Sequence, residues 1–515
     1  MPTRVRRDVL APLVVALVAA VYVAIGSWHV SLWYDEAATL AASGRDLTDL
    51  AAMTRHVDAV HGVYYALMHG WTEIAGSSPL AVRLPSAMAV GIAAAGVLVL
   101  ARRLVDRTTA ALTVVMFLVL PRVTWAGIEA RSTALTIAVA AWAAVLLLRA
   151  VEWPERLRRW LAYAAPLALG IWLNIFLALM VPAHALSVLF LRSGRRAWLG
   201  WSVSAAAAAA AALPVVWESR QQSAQLGGVR LSLATMVRSV GLNQWFLGAT
   251  PTEGADGGGS ATGLTVSDAL TPGWLPAALV LALAGWGLVT VALLPGGDPA
   301  RRTALAVVVP WLVVPSVMVL AYSVVAAPVY HQRYLAFSAP ALALLMALGL
   351  RRVPSPVVAV GVGVVLVATS SVVFVSQRGE TAKGSYAWSR VAEVVQAHRE
   401  PGDAVYYGPR TPPTGTVAHQ SARLVADAYP AAFHGLRDLT VATGAVEGGL
   451  LVGTSHPLDA VTDRIDDVRT LWVIRWADYP RDAVEHEDGL LRAAGLREDE
   501  RWVESTTVVA RFVRR

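Results

Sequence analysis

The sequence predicts a mainly α, polytopic membrane protein carrying a small C-terminal α/β domain. Three observations predict it. Of the 515 residues, 56% are hydrophobic and only 15% are charged, and the mean hydropathy is +0.53; a soluble domain is about 45–50% apolar and about 25% charged. Cysteine is absent, which excludes a disulfide scaffold, thiol catalysis and a Cys-ligated metal. The charge is also unevenly spread. Residues 377–515 hold 17 basic and 20 acidic residues, whereas 1–376 hold 26 basic and 16 acidic ones. The chain therefore reads as a lipid-embedded part, 1–376, and a soluble part, 377–515. A pI near 9.8 then reflects loop arginines and not a nucleic-acid partner. Arg, Ala and Val are abundant and Lys383 is the single lysine, the bias of a GC-rich bacterial genome.

A membrane helix takes about 20 mostly apolar residues. Such stretches lie near 9–29, 81–101, 108–121, 132–150, 160–174, 175–191, 198–216, 273–294, 303–326, 334–350 and 353–375, about eleven spans. The run from Trp160 to Leu191 is split in two by a turn expected near Leu173 and Asn174; one long tilted helix is the rival reading. With the N-terminus inside, 17 of the 26 basic residues before 377 fall in inner loops, and an odd number of spans puts the tail outside. The expected location is a bacterial plasma membrane, N-terminus cytoplasmic and C-terminal domain extracytoplasmic. The first apolar stretch is longer than a signal-peptide core and lacks a small-residue cleavage site, so it reads as a retained span. Gly254–Gly259 reads as a flexible tip or lid in a long outer loop.

In the tail, apolar runs at Ala404–Tyr407, Leu424–Ala426, Leu471–Arg475 and Thr506–Phe512 are expected strands, and Tyr386–His398 and Asp482–Ala494 expected helices, a small α/β arrangement. It carries no glycine-rich phosphate loop and no histidine cluster with metal spacing.

Four clusters carry the chemistry. Asp35 and Glu36 follow the first span directly, beside Trp33 and Tyr34, which suit the membrane interface. Adjacent, partly desolvated carboxylates push one pKa upward, as a general base near neutral pH requires; a solvated helix start, with Ala37–Ser43 helical, is the competing reading. The same outer loop continues through His56, Asp58, His61, Tyr64 and Tyr65. His56 and His61 are five residues apart, wrong for stacked metal ligands on a helix, so binding of sugar or phosphate fits better than zinc; structural hydrogen bonding is the alternative. Glu129 and Arg131 follow the third span, where ionisable groups face protein or water; a pair with each other is the plain alternative. His331 and Arg333 precede the tenth span, where a guanidinium fork suits a phosphate and a snorkelling anchor is the other reading. All four clusters map to one side of the membrane. That argues against a transporter, whose polar groups sit at the midplane of broken helices; Asn174 is the notable polar residue within a span.

This order of motifs resembles the GT-C glycosyltransferases, in particular the bacterial branch related to protein O-mannosyltransferases and aminoarabinose transferases, over roughly residues 9–375. The resemblance implies a GT-C-like fold and a polyprenyl-phosphate sugar donor. It also implies an outer-face active site and inversion at the anomeric carbon. It implies Asp35 as the catalytic carboxylate with Glu36 its acidic neighbour, Glu129 and Arg131 as the Glu-x-Arg after the third span, and Arg333 as the late arginine near the lipid phosphate. The departure is His61-Gly62-Val63-Tyr64-Tyr65, where many relatives have His-Pro-Pro-Leu-Tyr; that bears on the acceptor more than on the donor. The expected reaction moves a sugar, mannose first and arabinofuranose second, to an envelope glycan, glycolipid or protein, with membrane lipid as surroundings. No cofactor is required in this reading; a variant with Mg²⁺ or Mn²⁺ held by Asp35, Glu36 and Asp58 is the metal-dependent alternative. A lipid or glycolipid transporter is the competitor from another class.

Overall fold

The structure, a computed structural model, describes residues 2–222, 232–248, 274–408 and 421–514. The expected lid at Gly254–Gly259 lies outside the described residues. The described chain forms two compact units, one of residues 2–27, 83–222, 232–248 and 274–378, the other of 28–82, 379–408 and 421–514. The first long connection, 28–82, groups with the tail.

The first unit is helical because lipid leaves no alternative: every backbone polar group must be satisfied within the segment. Seven helices among the described residues are long and apolar enough to cross a membrane: Pro79–Leu104, Thr133–Glu152, Arg195–Gln221, Trp274–Leu293, Pro299–Val325, Gln332–Leu350 and Pro356–Ser376. Shorter apolar helices are Leu10–Ala24, Arg107–Leu118 and Ile175–Phe190. The expected span at 160–174 is the helix Leu157–Leu173, and it ends at Leu173 because Asn174 turns extended (φ −162°, ψ 111°) and its side chain accepts from Phe176 N. The long run therefore breaks where the sequence reading placed a turn.

Helix Gln332–Leu350 is enclosed along most of its length, whereas Pro356–Ser376 shows an apolar surface of Val357, Val360 and Val364, the side suited to lipid. Between these helices, small residues and single polar ties set the packing. A Cβ on Gly127 would collide with Val23, so only glycine lets the turn after Pro121–Ala126 lie against the first helix. Trp311 Nε1 donates to Phe337 O at 3.1 Å, Ser338 Oγ returns to Trp311 O at 3.1 Å, and Ser370 Oγ donates to Val119 O at 2.7 Å.

The second unit contains strands β1 (Ala404–Gly408), β2 (Arg437–Asp438), β3 (Val441–Thr443), β4 (Thr454–Ser455), β5 (Thr470–Trp476), β6 (Leu496–Glu504) and β7 (Thr507–Arg514). Five form a mixed sheet in the order β2-β1-β5-β7-β6, with β1 parallel to β2 and β5, and β7 antiparallel to both neighbours. Leu471, Val473, Leu491, Leu496, Ala510 and Phe512 are in its core. The helices Trp388–His398 and Arg481–Ala493 lie where the sequence placed them.

Two readings of the tail need correction. Leu424–Ala426 is not a strand but the start of a helix, Leu424–Ala428. Its buried residues, Leu424, Val425 and Ala428, recur at helical spacing, which three apolar residues in a row conceal. β6 escaped the sequence reading because residues 497–501 are all charged. They are exposed, as suits an edge strand that resists pairing with another chain. The rest of this unit is helices Tyr34–Ser43, Leu47–Thr54 and Gly62–Ala75; Leu424–Ala428 packs on the first of them.

Candidate active site

The candidate residues are divided between the two units. In the second unit, Tyr34–Ser43 begins directly after extended Trp33 (φ −130°, ψ 177°), which places Asp35 and Glu36 in its first turn, where the helix dipole favours negative charge. Both are buried, Asp35 at 3% and Glu36 at 0% exposure, so the solvated helix start is not what the structure shows. Glu36 Oε1 receives the ammonium of Lys383 at 2.7 Å, with both side chains fully buried. The approach to the turn is fixed from the tail. Ser31 N donates to Glu380 O at 2.9 Å, Leu32 N to the Tyr429 hydroxyl at 2.9 Å, and Ser389 N to Ser31 Oγ at 3.2 Å. Burial pushes the Tyr386 hydroxyl up to about 12, and the negative charges of Asp35 and Asp478 add to it.

The loop beyond draws three of its five candidates together. Asp58 adopts a left-handed conformation (φ 58°), which Asp tolerates better than most residues. This brings its Oδ2 to the Tyr65 hydroxyl, which donates at 2.7 Å. The His61 ring, at the end of the short turn Ala59–His61, lies 5.8 Å from the Tyr65 ring. Tyr64 and Tyr65 are buried in the helix Gly62–Ala75. His56 is exposed and packs by Gly449.

In the first unit, Glu129 and Arg131 sit in the turn between helices Pro121–Ala126 and Thr133–Glu152, at 0% and 8% exposure. Ser86 Oγ holds that turn by donating to Glu129 O at 2.6 Å, and Ser132 Oγ donates to Leu173 O at 2.8 Å. The Glu129 carboxylate meets Arg333 at 3.6 Å. A residue more than 200 positions away in sequence thus joins the Glu-x-Arg turn. Arg333 is the second residue of a 3₁₀ turn, Gln332–Ser338, whose N-cap is His331; His331 Nδ1 accepts from Arg333 N at 3.4 Å, and the His331 ring lies 5.2 Å from that of Tyr334. Asn174 ties this turn down, since its Nδ2 donates to Tyr334 O at 3.0 Å and Phe176 stacks on Tyr334 at 5.1 Å. The polar residue within a span is therefore a brace for the Arg333 turn.

The sequence reading did not single out the partners Lys383, Gln244 and Arg122 as site residues. Tyr330 donates to Gln244 Oε1 at 2.9 Å; Arg122, buried, donates to the Asn243 and Gln244 carbonyls at 2.8 and 3.1 Å. For Lys383 the one signal was its uniqueness. Among the described residues, no group of three or more His, Cys, Asp or Glu side chains has metal-binding proximity. Asp35, Glu36 and Asp58 do not form one, and Glu36 is engaged by an ammonium.

Residues 62–217 match the family model of dolichyl-phosphate-mannose-protein mannosyltransferase, under a third of the chain. No curated protein matches the sequence. Among solved structures, the chain is similar to ArnT from Cupriavidus metallidurans bound to undecaprenyl phosphate, at 14% identity and TM-score 0.58 over 98% of this chain and 97% of that one. It is equally similar to the apo state of that ArnT, at 13% identity and TM-score 0.59 over 97% of both chains. The fold is shared over essentially the whole length. With the family match, it supports the resemblance to GT-C membrane glycosyltransferases.

Proposed function

We propose that this multi-pass membrane protein, a glycosyltransferase of the GT-C type, moves a sugar from a polyprenyl-phosphate donor to an acceptor hydroxyl with inversion at the anomeric carbon. Mannose is the sugar we favour, since the matching family model is one of dolichyl-phosphate-mannose transfer; an arabinofuranosyl donor is the second choice. The lipid carrier is favoured because the similar ArnT binds undecaprenyl phosphate. Envelope glycan, glycolipid or protein is the acceptor class. Residues 1–376 carry the membrane chemistry and 377–515 the extracytoplasmic domain, with the N-terminus cytoplasmic.

The observation that carries this reading is the burial of Asp35 in a helix's first turn, beside a Glu36 whose charge is already met by Lys383. Asp35 takes the proton of the acceptor hydroxyl as its oxygen bonds to the anomeric carbon. The bond from that carbon to the phosphate oxygen breaks and its electron pair leaves on polyprenyl phosphate. Arg131 and Arg333, with His331, neutralise that charge, an electrostatic role that mutagenesis elsewhere values at about 10²–10³ in rate per donor. Glu129 holds Arg333, and His56, Asp58, His61, Tyr64 and Tyr65 serve donor or acceptor binding.

The test is transfer by purified protein in lipid, from radiolabelled polyprenyl-phosphate-mannose to an envelope extract, with Asp35→Asn alongside. Label transferred by the wild type and lost in the variant is the expected result. Transfer by Asp35→Asn at the wild-type rate would remove Asp35 as base. No transfer by either protein, with the mannosyl and then the arabinosyl donor, would move the weight to the transporter.

A further inference from the structure

We infer that Lys383 is a positioning residue for the Asp35 base: its ammonium fixes Glu36, and Glu36 fixes the helical turn that presents Asp35. The inference rests on the proposed role of Asp35 and extends it to a residue outside every motif.

Composition gives the first argument. Of the 43 Lys and Arg positions, Lys383 alone is lysine. The one lysine ammonium stands fully buried, 2.7 Å from a fully buried carboxylate. A guanidinium is a wide planar fork, whereas an ammonium is a compact point charge with three donors. Beside two adjacent buried carboxylates, the compact charge meets Glu36.

The backbone gives the second. Gly384 and Ser385, which follow Lys383, are both left-handed, at φ 61° and 59°. For serine this conformation is strained and persists only where the surroundings impose it. They do so here. Ser385 N bonds Thr381 O at 3.1 Å, Tyr386 N bonds Lys383 O at 3.2 Å, and Ser505 Oγ, itself on a left-handed residue, donates to Ser385 O at 2.6 Å. The turn that carries Lys383 is held from the end of β6. On its other side it holds the Asp35 segment through Glu380 O and Ser31 N.

Charge gives the third. Two neighbouring buried carboxylates repel, and one of them takes up a proton. Lys383 meets the Glu36 charge with an ion pair at 2.7 Å. For stability alone a buried ion pair is often no better than an apolar pair of the same size. The pair therefore earns its place by fixing geometry beside the reacting group, where a misplacement of about 1 Å costs about 100-fold in rate.

Because Lys383 is the sole lysine, amine acylation with peptide mapping reads it directly. In the full-length protein in lipid, Lys383 is expected to resist acylation, and Glu36→Gln to speed it about tenfold or more through loss of the charge partner. Hydrogen exchange in the 34–43 peptide should quicken in Lys383→Met while the sheet peptides stay protected. In the same variant kcat should fall about 100-fold, with the donor KM unchanged. The double variant Glu36→Gln/Lys383→Met, which removes both charges together, should regain protection of 34–43 and most of kcat. Acylation of wild-type Lys383 as fast as in unfolded protein overturns the inference. So does a Lys383→Met protein with unaltered exchange in 34–43, or a fall in its exchange protection that is uniform across the chain. If exchange behaves as expected while the wild type transfers neither sugar, the hold of Lys383 on the turn stands and the glycosyltransferase reading fails.

Discussion

Replacing Asn174 by alanine tests how the Arg333 turn is held. Asn174 makes two bonds across the break in its helix: Oδ1 accepts from Phe176 N at 3.0 Å, and Nδ2 donates to Tyr334 O at 3.0 Å. Loss of an N-cap of this kind costs about 1 kcal/mol. Loss of a part-buried amide–carbonyl bond costs about 1 kcal/mol more. The sum, about 2 kcal/mol, lowers the apparent Tm by about 4 °C for a domain of a few hundred residues. The assay is thermal unfolding in detergent at one fixed scan rate, followed by size-exclusion chromatography. Asn174→Ser separates the two bonds, since a serine hydroxyl caps Phe176 N but does not reach Tyr334. It should recover about half the loss. Asn174→Asp keeps the cap and sets a carboxylate against the Tyr334 carbonyl, so it should fare no better than alanine. An alanine variant with the wild-type Tm, or serine no better than alanine, would refute the reasoning.

Three further outcomes follow from single contacts. Tyr65→Phe removes the donor to Asp58 Oδ2 at 2.7 Å and should cost about 1.5–3 kcal/mol, the range for a bond to a charged group, read by the same unfolding assay. Ser385→Gly relieves a side chain at φ 59° and should stabilise by about 1 kcal/mol, with the Ser505 bond to its carbonyl intact. Burial pushes Asp427 up to about 6 from 3.8, although Arg423 and Arg45 pull it down. The folded state then holds a proton that the unfolded state has lost between those two values, so stability falls as pH rises from about 4 to about 6. Asp427→Asn should be flat across that window and more stable than wild type at pH 7, by at most about 3 kcal/mol. Urea titrations at pH 4, 5, 6 and 7 measure it, and parallel curves for the two proteins would contradict it.

The helices were legible because lipid allows little else: an apolar run of sufficient length must be a helix. The break at Leu173 was legible from one amide in such a run. The tail was legible where a strand is buried on both faces, as in β1 and β5. It was not legible in β6, whose residues 497–501 are all charged, nor at Leu424, where three apolar residues fit either period. Of the candidate site, the acidic pair and the Glu-x-Arg turn stood out as ionisable groups beside apolar runs. Their partners did not. Glu129 finds Arg333 and Glu36 finds Lys383 by tertiary folding, and no periodicity links positions so far apart. The Asp58–Tyr65 bond was equally hidden, since it depends on a left-handed Asp58.

The grouping of residues 28–82 with the tail has a consequence for biogenesis. Glu36 is made 347 residues before Lys383. At about 5–20 residues per second, the first long connection waits roughly 20–70 s for the lysine that neutralises it. Tyr429, which receives Leu32 N, and the Leu450 and Leu451 carbonyls that receive Arg45 come later still. Until then a turn built for burial has to remain wet. The closing of this unit is thus a late event, timed by synthesis of the C-terminal residues. A nascent chain arrested before residue 383 should show the 28–82 segment open to protease, and full-length protein should show it protected.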